Sequence, residues 1–380
     1  MTSRRQFLTT TVAAIGAPAF LRGRYQLFPW STTEYSARCI ALMKQALVID
    51  MLFPFTLDFA KQRRWNANPE SFTAADFEPY KTSGIHVGHH ATGFGGPNAY
   101  EAALRYFNSL NSLIAGRDEY LIRIDSVGDL DRVRTSGKFG IMLGVQNADH
   151  FQNPNHVAEF YGYGQRVSQL TYNSRNWIGN GSTERQDEGL SDFGLRIVTR
   201  MNEVGMAIDV SHCGDKTSLD AFEASKKPVL ITHSNARALA PGHPRCKPDE
   251  VIKKVGETGS VMGITGVRNF VKNEEPTTIE DYLNHMDHVA KVTGGREHVG
   301  IGSDIDLYGY DDMPPEDYKR LKAGYKDSYA FRDKIDIDEI AHPKRMYDIT
   351  DGLIRRKYSD ADILGVLGGN FKRVLGQIWV

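Results

Sequence analysis

Eight short runs of β-branched and other apolar residues recur along the chain from about residue 36, and amphipathic helical segments separate them. Their near-continuous apolar content is typical of strands that are buried on both faces, as in a parallel sheet. Strands that alternate with helices eight times predict an α/β fold, a (β/α)8 TIM barrel. The runs are residues 47–50, 84–90, 140–145, 165–171, 206–211, 229–232, 260–264 and 299–303.

Two of the helices between these runs carry clear end signals. Ser191 precedes a helical pattern over residues 195–204, and Gly205 is placed to end it. A second helical pattern, over residues 279–293, is followed by a Gly-Gly pair. No repeat, low-complexity tract or flexible linker divides the chain, so the sequence predicts one barrel domain over residues 36–380.

Charge and composition exclude several classes of function. The 380 residues carry 46 Lys and Arg against 47 Asp and Glu, a formal net charge of −1. Without a basic excess the chain is not expected to bind nucleic acid. It contains no apolar run of about 18 residues, so we expect no membrane span. Three cysteines without CxxC spacing do not make a disulfide scaffold.

The first residues have the features of an export signal. Arg4 and Arg5 precede Phe7 and a mildly apolar stretch, and small residues at 17–19 offer a cleavage site. We predict a twin-arginine signal peptide over residues 1–22, with the twin-arginine export machinery as partner and the periplasm as location. The alternative is a basic, frayed N-terminus.

Polar residues follow three of the predicted strands at the point where each strand ends. His212 follows the fifth strand, His233 the sixth and Asp304 the eighth. Because catalytic groups of such barrels lie at the carboxyl ends of the strands, we expect these three to share one mouth. Two imidazoles and a carboxylate are ligands that suit zinc. The alternatives are buried structural histidines and, for Asp304, a loop cap, a role that Asp306 fits better.

Four segments together resemble the membrane (renal-type) dipeptidase family of amidohydrolase-type barrels, and the likeness runs from about residue 46 to residue 375. They are Asp209-Val-Ser-His212, Thr232-His-Ser-Asn-Ala-Arg237, His243-Pro-Arg245 and His298-Val-Gly-Ile-Gly-Ser-Asp304. A closing Leu-Gly-Gly-Asn-Phe-type segment is present at 367–371. The resemblance implies a barrel that hydrolyses dipeptides with two zinc ions, and a homodimer.

The same resemblance assigns roles to individual residues. It implies that His212 and His233 hold one zinc and that Asp304 handles the proton of the attacking water. It also implies that Arg245 binds the substrate carboxylate, a role that suits a planar guanidinium. A surface salt bridge is the alternative for Arg245.

The chain departs from the family at the other metal position. Leu52 and Pro54 stand where the family has a zinc-binding His and Asp, and Gln146 stands where it has a bridging Glu. Tyr172 replaces a His that contacts the scissile carbonyl. A pair of divalent cations needs carboxylate charge between them. We therefore expect one zinc ion or none, with Gln146 as a weak third ligand and Tyr172 as a catalytic and substrate-binding residue.

The second predicted strand offers a replacement group. Its alternation places His86 and His90 on one face and His89 on the other, and His90 lies at the carboxyl end. We predict His90 as a replacement ligand or acid–base group, ahead of Asp149 and His150, which follow the third strand.

Three functions remain open from the sequence. The first is an exported metallohydrolase that cleaves an amide or dipeptide-like small molecule bearing a carboxylate. The second is a non-hydrolytic acid–base enzyme, a lyase, isomerase or tautomerase, that uses Tyr172, His90 and Asp304. The third is an inactive binding homologue.

Overall fold

The computed structural model describes residues 23–29 and 31–379. The predicted signal peptide, residues 1–22, lies outside the described residues. All eight predicted strands are present, and an N-terminal hairpin and one short strand are added to them. In chain order the strands are β1 Arg24–Gln26, β2 Glu34–Ser36, β3 Ile49–Asp50, β4 Val87–Phe94, β5 Leu121–Arg123, β6 Phe139–Ala148, β7 Gln165–Gln169, β8 Ala207–Asp209, β9 Ile231–Ser234, β10 Met262–Ile264 and β11 Val299–Ile301.

The eight predicted strands run parallel in two sheets that meet at both edges. One sheet has the order β3-β4-β6-β7-β8, and the other has the order β9-β10-β11. A parallel bridge between Asp209 and Leu230 joins β8 to β9. On the other side the Met51 amide donates to the Ile301 carbonyl at 2.8 Å and joins β3 to β11. The strands therefore follow one another around a barrel, as predicted.

Helices cover the outside of the barrel. They are α1 Ala37–Gln45, α2 Phe59–Ala67, α3 Ala74–Ser83, α4 Ala99–Gly116, α5 Val127–Ser136, α6 Asn155–Gly162, α7 Asp192–Val204, α8 Asp215–Ala224, α9 Asp249–Glu257, α10 Arg268–Val271, α11 Ile279–Thr293, α12 Pro315–Ala323, α13 Arg345–Arg355, α14 Asp360–Leu364 and α15 Asn370–Ile378. Within residues 23–29 and 31–379, none of these helices is long and apolar enough to cross a membrane.

Both helix ends that the sequence marked are confirmed. The Ser191 hydroxyl accepts from the Gly194 amide at 3.0 Å and caps α7, and Gly205 ends that helix in the left-handed region at φ 80°. Gly294 ends α11 in the same way at φ 87°. A side chain at either position would be strained, which explains the two glycines.

Two glycines permit the close approach of Thr232 in β9 to β10 and to the residue that follows β11. A Cβ on Gly302 would lie 1.9 Å from the Thr232 carbonyl oxygen, and one on Gly263 would lie 2.0 Å from it. The obstacle is backbone and cannot rotate away, so the spacing beside His233 depends on both glycines.

We expect Gly302→Ala to lower the free energy of unfolding by about 1–3 kcal/mol, because the added methyl group overpacks the barrel. Gly162→Ala in α6 is the matched control, since a Cβ there would meet nothing within 4 Å. Urea denaturation measures both variants. Equal stability of Gly302→Ala and the parent would contradict the close approach.

Candidate active site

The two histidines predicted from the fifth and sixth strands lie side by side at the carboxyl end of the barrel. The Nε2 atoms of His212 and His233 are 3.0 Å apart, and their rings are 5.0 Å apart between centroids. Both side chains are buried, with 1% and 0% of their surface exposed. The structure thus brings together the pair that the sequence placed at one mouth.

Hydrogen bonds behind the pair fix which ring nitrogen carries the proton. His212 Nδ1 lies 2.7 Å from Asn173 Oδ1, an acceptor, so His212 donates from Nδ1. Thr232 donates its hydroxyl proton to Asp209 at 2.7 Å, so Thr232 Oγ1 can only accept from His233 Nδ1, also at 2.7 Å. A neutral imidazole carries one N–H, so both Nε2 atoms present lone pairs.

Burial, followed by the positive charge of Arg245, lowers the pKa of both His212 and His233 well below the usual value of an imidazole. The two rings are therefore neutral at ordinary pH, and their lone pairs face one another with no proton between them. Two nitrogens bound to one tetrahedral zinc at roughly 2.0–2.1 Å lie about 3.4 Å apart. The donor pair fits a divalent cation with a small outward movement.

A complete protein ligand set is absent from the part of the chain that the structure describes. No group of three or more His, Cys, Asp or Glu side chains there is arranged to hold a metal. Gln146 lines the adjoining cavity, and its amide nitrogen donates to the Ala91 carbonyl at 3.1 Å. The pair would thus leave coordination positions to water or substrate, as catalytic zinc sites do.

Asp304 lines the same cavity as Gln146, whereas His212 and His233 are buried beside that cavity and do not line it. Asp304 is held in an unusual backbone conformation. Its φ is 60°, in the left-handed region, and its amide donates to the Leu52 carbonyl at 2.8 Å. The Tyr310 hydroxyl donates to Asp304 Oδ1 at 3.4 Å. Burial raises the pKa of Asp304 to about 7, although Arg245 and the Tyr310 hydrogen bond oppose the shift. A carboxyl with such a pKa can accept or donate a proton near neutral pH.

Tyr172 connects the histidine pair to the cavity wall. Its ring stacks on His212 with 4.1 Å between centroids, and its hydroxyl lies 2.6 Å from that of Tyr325. Burial raises the pKa of Tyr172 well above its usual value, so the hydroxyl remains protonated. It is placed as a hydrogen-bond donor.

Arg245 lies beneath the histidine pair. It is 0% exposed and does not line the cavity. Its guanidinium donates to the Ser211 carbonyl and, at 2.7 Å, to the His233 carbonyl, and it lies over the Phe270 ring at 5.5 Å. It is not a surface salt bridge. Its charge acts on the two imidazoles, and its binding of a substrate carboxylate stays a prediction.

His90 lines the cavity between α2 and α4, and burial lowers its pKa to about 4. Its Nδ1 accepts from the Phe55 amide at 3.0 Å, and its Nε2 contacts the Gln62 amide at 3.1 Å. It does not contact the histidine pair, and its catalytic role stays a prediction. Asp149 and His150 do not line this cavity. Asp306 accepts three backbone N–H bonds, from Leu57, Tyr308 and Gly309, so it is the loop cap predicted from sequence.

His89 is a buried histidine that the sequence argument passed over. Its Nδ1 lies 2.7 Å from the Met51 carbonyl oxygen, and its Nε2 has no hydrogen-bond partner among the described residues. The ring occupies the space of a missing side chain, because a Cβ on Gly144 would lie 2.0 Å from its Nε2. Gly144, on the neighbouring strand β6, is the sequence feature that could have indicated space for the His89 ring.

The segment over residues 307–334 covers the mouth. Its side chains Tyr310, Leu321, Tyr325, Tyr329 and Phe331 line the cavity, whose volume is about 470 Å³. Lys326 donates to the Thr183 carbonyl at 3.2 Å, and the Tyr329 carbonyl accepts from Asn269 at 2.6 Å. The cover shields the histidine pair from water and contributes aromatic rings to the site.

Comparison with known proteins identifies the family of this chain. The family model for membrane dipeptidase, peptidase family M19, matches residues 36–323. The chain belongs to the membrane dipeptidase family. The family assignment made from the sequence motifs is therefore confirmed.

Individual relatives agree with this family. An uncharacterized dipeptidase of Schizosaccharomyces pombe is 33% identical over 180 residues, which are 46% of this chain and 43% of the relative, so the match spans less than half of that protein. A crystal structure of an amidohydrolase from Pseudomonas aeruginosa is 28% identical, covers 90% of this chain and 99% of its own, and has a TM-score of 0.76.

A third relative supports the fold alone. A metallopeptidase from Rhodobacter sphaeroides, solved with a phosphinate mimic of the dipeptide L-Ala-D-Ala, is 18% identical. It covers 87% of this chain and 99% of its own, with a TM-score of 0.69. The α/β barrel of the membrane dipeptidases is thus shared along nearly the whole described chain.

Proposed function

We propose that this membrane dipeptidase family member is a hydrolase with a single divalent metal ion, zinc, held by His212 and His233. It cleaves an amide or dipeptide-like bond in a small molecule that bears a carboxylate. The observation that carries the proposal is the pair of buried Nε2 lone pairs 3.0 Å apart, because a cation bound by both would relieve their repulsion. The dipeptidase-like relatives support the same reaction class.

The residues around the histidine pair have different roles in the proposed reaction. A divalent cation held by His212 and His233 would supply Lewis acidity toward water and a substrate carbonyl. Asp304, with its pKa raised to about 7, accepts a proton from the attacking water and passes it to the leaving amine. Tyr172 donates a hydrogen bond from the position where the resemblance places a carbonyl contact.

The count of one metal follows from the first strand. Leu52 and Pro54 offer no side-chain ligand, and Gln146 carries no charge to offset a second cation. Both Leu52 and the adjoining Met51 are fully buried with 0% exposure, so the missing site is filled with packed apolar side chains. A second ion would have no place to bind.

Export remains a separate proposal. The Arg4-Arg5 pair supports transport through the twin-arginine machinery, which would place the folded enzyme in the periplasm. The homodimer stays a prediction from the family resemblance.

A second function is favoured by one observation. Asp304 has a pKa near neutrality and accepts from Tyr310, while Tyr172 and Tyr325 share a hydrogen bond of 2.6 Å beside it. Such a set of proton donors and acceptors also serves a non-hydrolytic lyase, isomerase or tautomerase.

Metal analysis and hydrolysis together test the proposal. We expect about one zinc per purified chain, as for a catalytic site with an open position. Hydrolysis of a panel of L,L and L,D dipeptides and N-acyl amino acids should be lost in chelator and restored by zinc. About two ions per chain would contradict the single site. Turnover that survives complete metal removal would favour the acid–base alternative.

A further inference from the structure

The cavity that Asp304 and Tyr172 line beside the histidine pair has a second, chemically different end. Its inner end contains Asp304 and the aromatic side chains of the cover. Its outer arm runs between α2 and α4. We use the name outer arm for the part lined by Gln62, Asn66, Arg105 and Ser109. Positions 102, 105, 106 and 109 line the cavity together and form one face of α4, since they are spaced by three or four residues.

Arg105 brings an uncompensated positive charge to the outer arm. It is exposed, and no ion pair within residues 23–29 and 31–379 involves its guanidinium. Of the described residues that line the cavity, Asp304 alone carries a carboxyl group, and it lies at the inner end. The outer arm is therefore the electropositive end of the cavity.

The hydrogen bonding of His90 orients Gln62 so that its NH₂ group is a hydrogen-bond donor in the outer arm. The Phe55 amide donates to His90 Nδ1, so the neutral ring must carry its proton on Nε2. The Gln62 atom that meets this N–H at 3.1 Å must then be the amide oxygen. This orientation leaves the NH₂ group of Gln62 without a partner among the described residues and available to a ligand.

We propose that the outer arm is a subsite for a second acidic group of the substrate, a carboxylate bound by Arg105 and the Gln62 amide. The planar guanidinium and the NH₂ group match the two oxygens of a carboxylate. The substrate class is then an amino acid acylated by a dicarboxylic acid, or a dipeptide with an acidic N-terminal residue. This inference rests on the proposed hydrolase for the substrate class, while the anion subsite itself depends only on the cavity.

The lining of the cavity supports the choice of an anion at this end. Among the described residues that line it, the one carboxyl group belongs to Asp304 at the inner end, so a free ammonium group would find no counter-charge in the outer arm. An unpaired ammonium would lose hydration without compensation, whereas a carboxylate meets Arg105.

Two probes that differ only in the second acid test the subsite. N-succinyl-L-phenylalanine and N-butyryl-L-phenylalanine have the same chain length, and only the first carries the distal carboxylate. Titration calorimetry on the purified holoprotein measures binding, and a separate assay measures hydrolysis. We expect the parent to bind the succinyl probe about 10-fold more tightly, the effect of one hydrogen-bonded charge pair.

Arg105→Ala should abolish this preference and leave the affinity for the butyryl probe unchanged, and Arg105→Lys should keep part of it. Arg63→Ala is the matched control, because Arg63 is an exposed residue of α2 that does not line the cavity. An equal affinity of the parent for the two probes, or a preference that survives in Arg105→Ala, would overturn the subsite. Preferential binding without hydrolysis would support the subsite and contradict only the hydrolase.

Discussion

His212→Ala is expected to abolish zinc binding and to lower kcat/KM by about 10³-fold or more, the loss that follows when a catalytic metal and its several kcal/mol of charge stabilisation are removed. The reason is geometric. One lone pair remains where two faced each other at 3.0 Å, and no group of three or more His, Cys, Asp or Glu among the described residues could hold the metal instead. Metal content after dialysis and hydrolysis rates measure the two effects.

Asn173→Ala provides a graded version of the same experiment. Asn173 accepts from His212 Nδ1 at 2.7 Å and keeps the proton away from Nε2. Without this bond the imidazole can adopt the other tautomer, so we expect zinc affinity to fall about 10–100-fold while binding persists at high zinc concentration.

Thermal unfolding separates metal loss from misfolding. Zinc at about 1,000 times its dissociation constant should stabilise the parent by about 4 kcal/mol and leave His212→Ala unaffected. A folded His212→Ala that still binds one zinc and retains activity would show that the histidine pair is not the metal site.

Asp304→Asn is expected to lower kcat by about 10²–10⁴-fold, the usual contribution of a positioned acid–base group. The amide keeps the shape of the carboxyl group and can still accept from Tyr310, so the cavity should remain intact. The amide group cannot take a proton from the attacking water. Zinc content equal to that of the parent is the control for an undamaged metal site.

The same substitution should stabilise the metal-free protein at alkaline pH. The pKa of Asp304 is about 7 in the folded chain, above the value of about 3.9 in an unfolded chain. The folded state therefore binds the extra proton, and its stability falls as pH rises from about 4 through 7. The difference between these two pKa values corresponds to at most about 4 kcal/mol in the free energy of unfolding.

Urea denaturation in chelator checks the pH effect. Asp304→Asn should unfold with nearly the parent's free energy at about pH 4 and should be more stable than the parent at about pH 8. Asp336, whose pKa burial also raises to about 7, is present in both proteins and cancels in the comparison. A stability difference that does not change with pH would show that Asp304 is not a buried acid.

The barrel could be predicted because its strands and helix ends are marked by residues that are neighbours in the sequence. The run over residues 140–145, which lies within β6, is apolar on both faces, and helix ends such as Gly205 and Gly294 need backbone angles that only glycine adopts easily. The hairpin β1–β2 and the short strand β5 were missed because they contain polar residues and are partly exposed, whereas the equally short strands β8, β10 and β11 are fully buried.

The candidate site was predictable only in part. That His212 and His233 meet follows from the rule that carboxyl ends of parallel strands share one mouth. Which histidine of β4 faces the barrel interior was a matter of packing: His89 takes the space beside Gly144, while His90 lies between α2 and α4. The burial of Arg245 and the cover over residues 307–334 depend on contacts between distant segments, which a single sequence does not reveal.

The sequence by itself determined the eight strands of the barrel and the residues at their carboxyl ends, because both are indicated by neighbouring residues and their apolar pattern. The tertiary structure decided the direction of the imidazole lone pairs, the raised pKa of Asp304 and the charge of the outer arm. These properties depend on burial and on hydrogen bonds between atoms far apart in the chain, since desolvation and proton position are set by the complete packed surroundings.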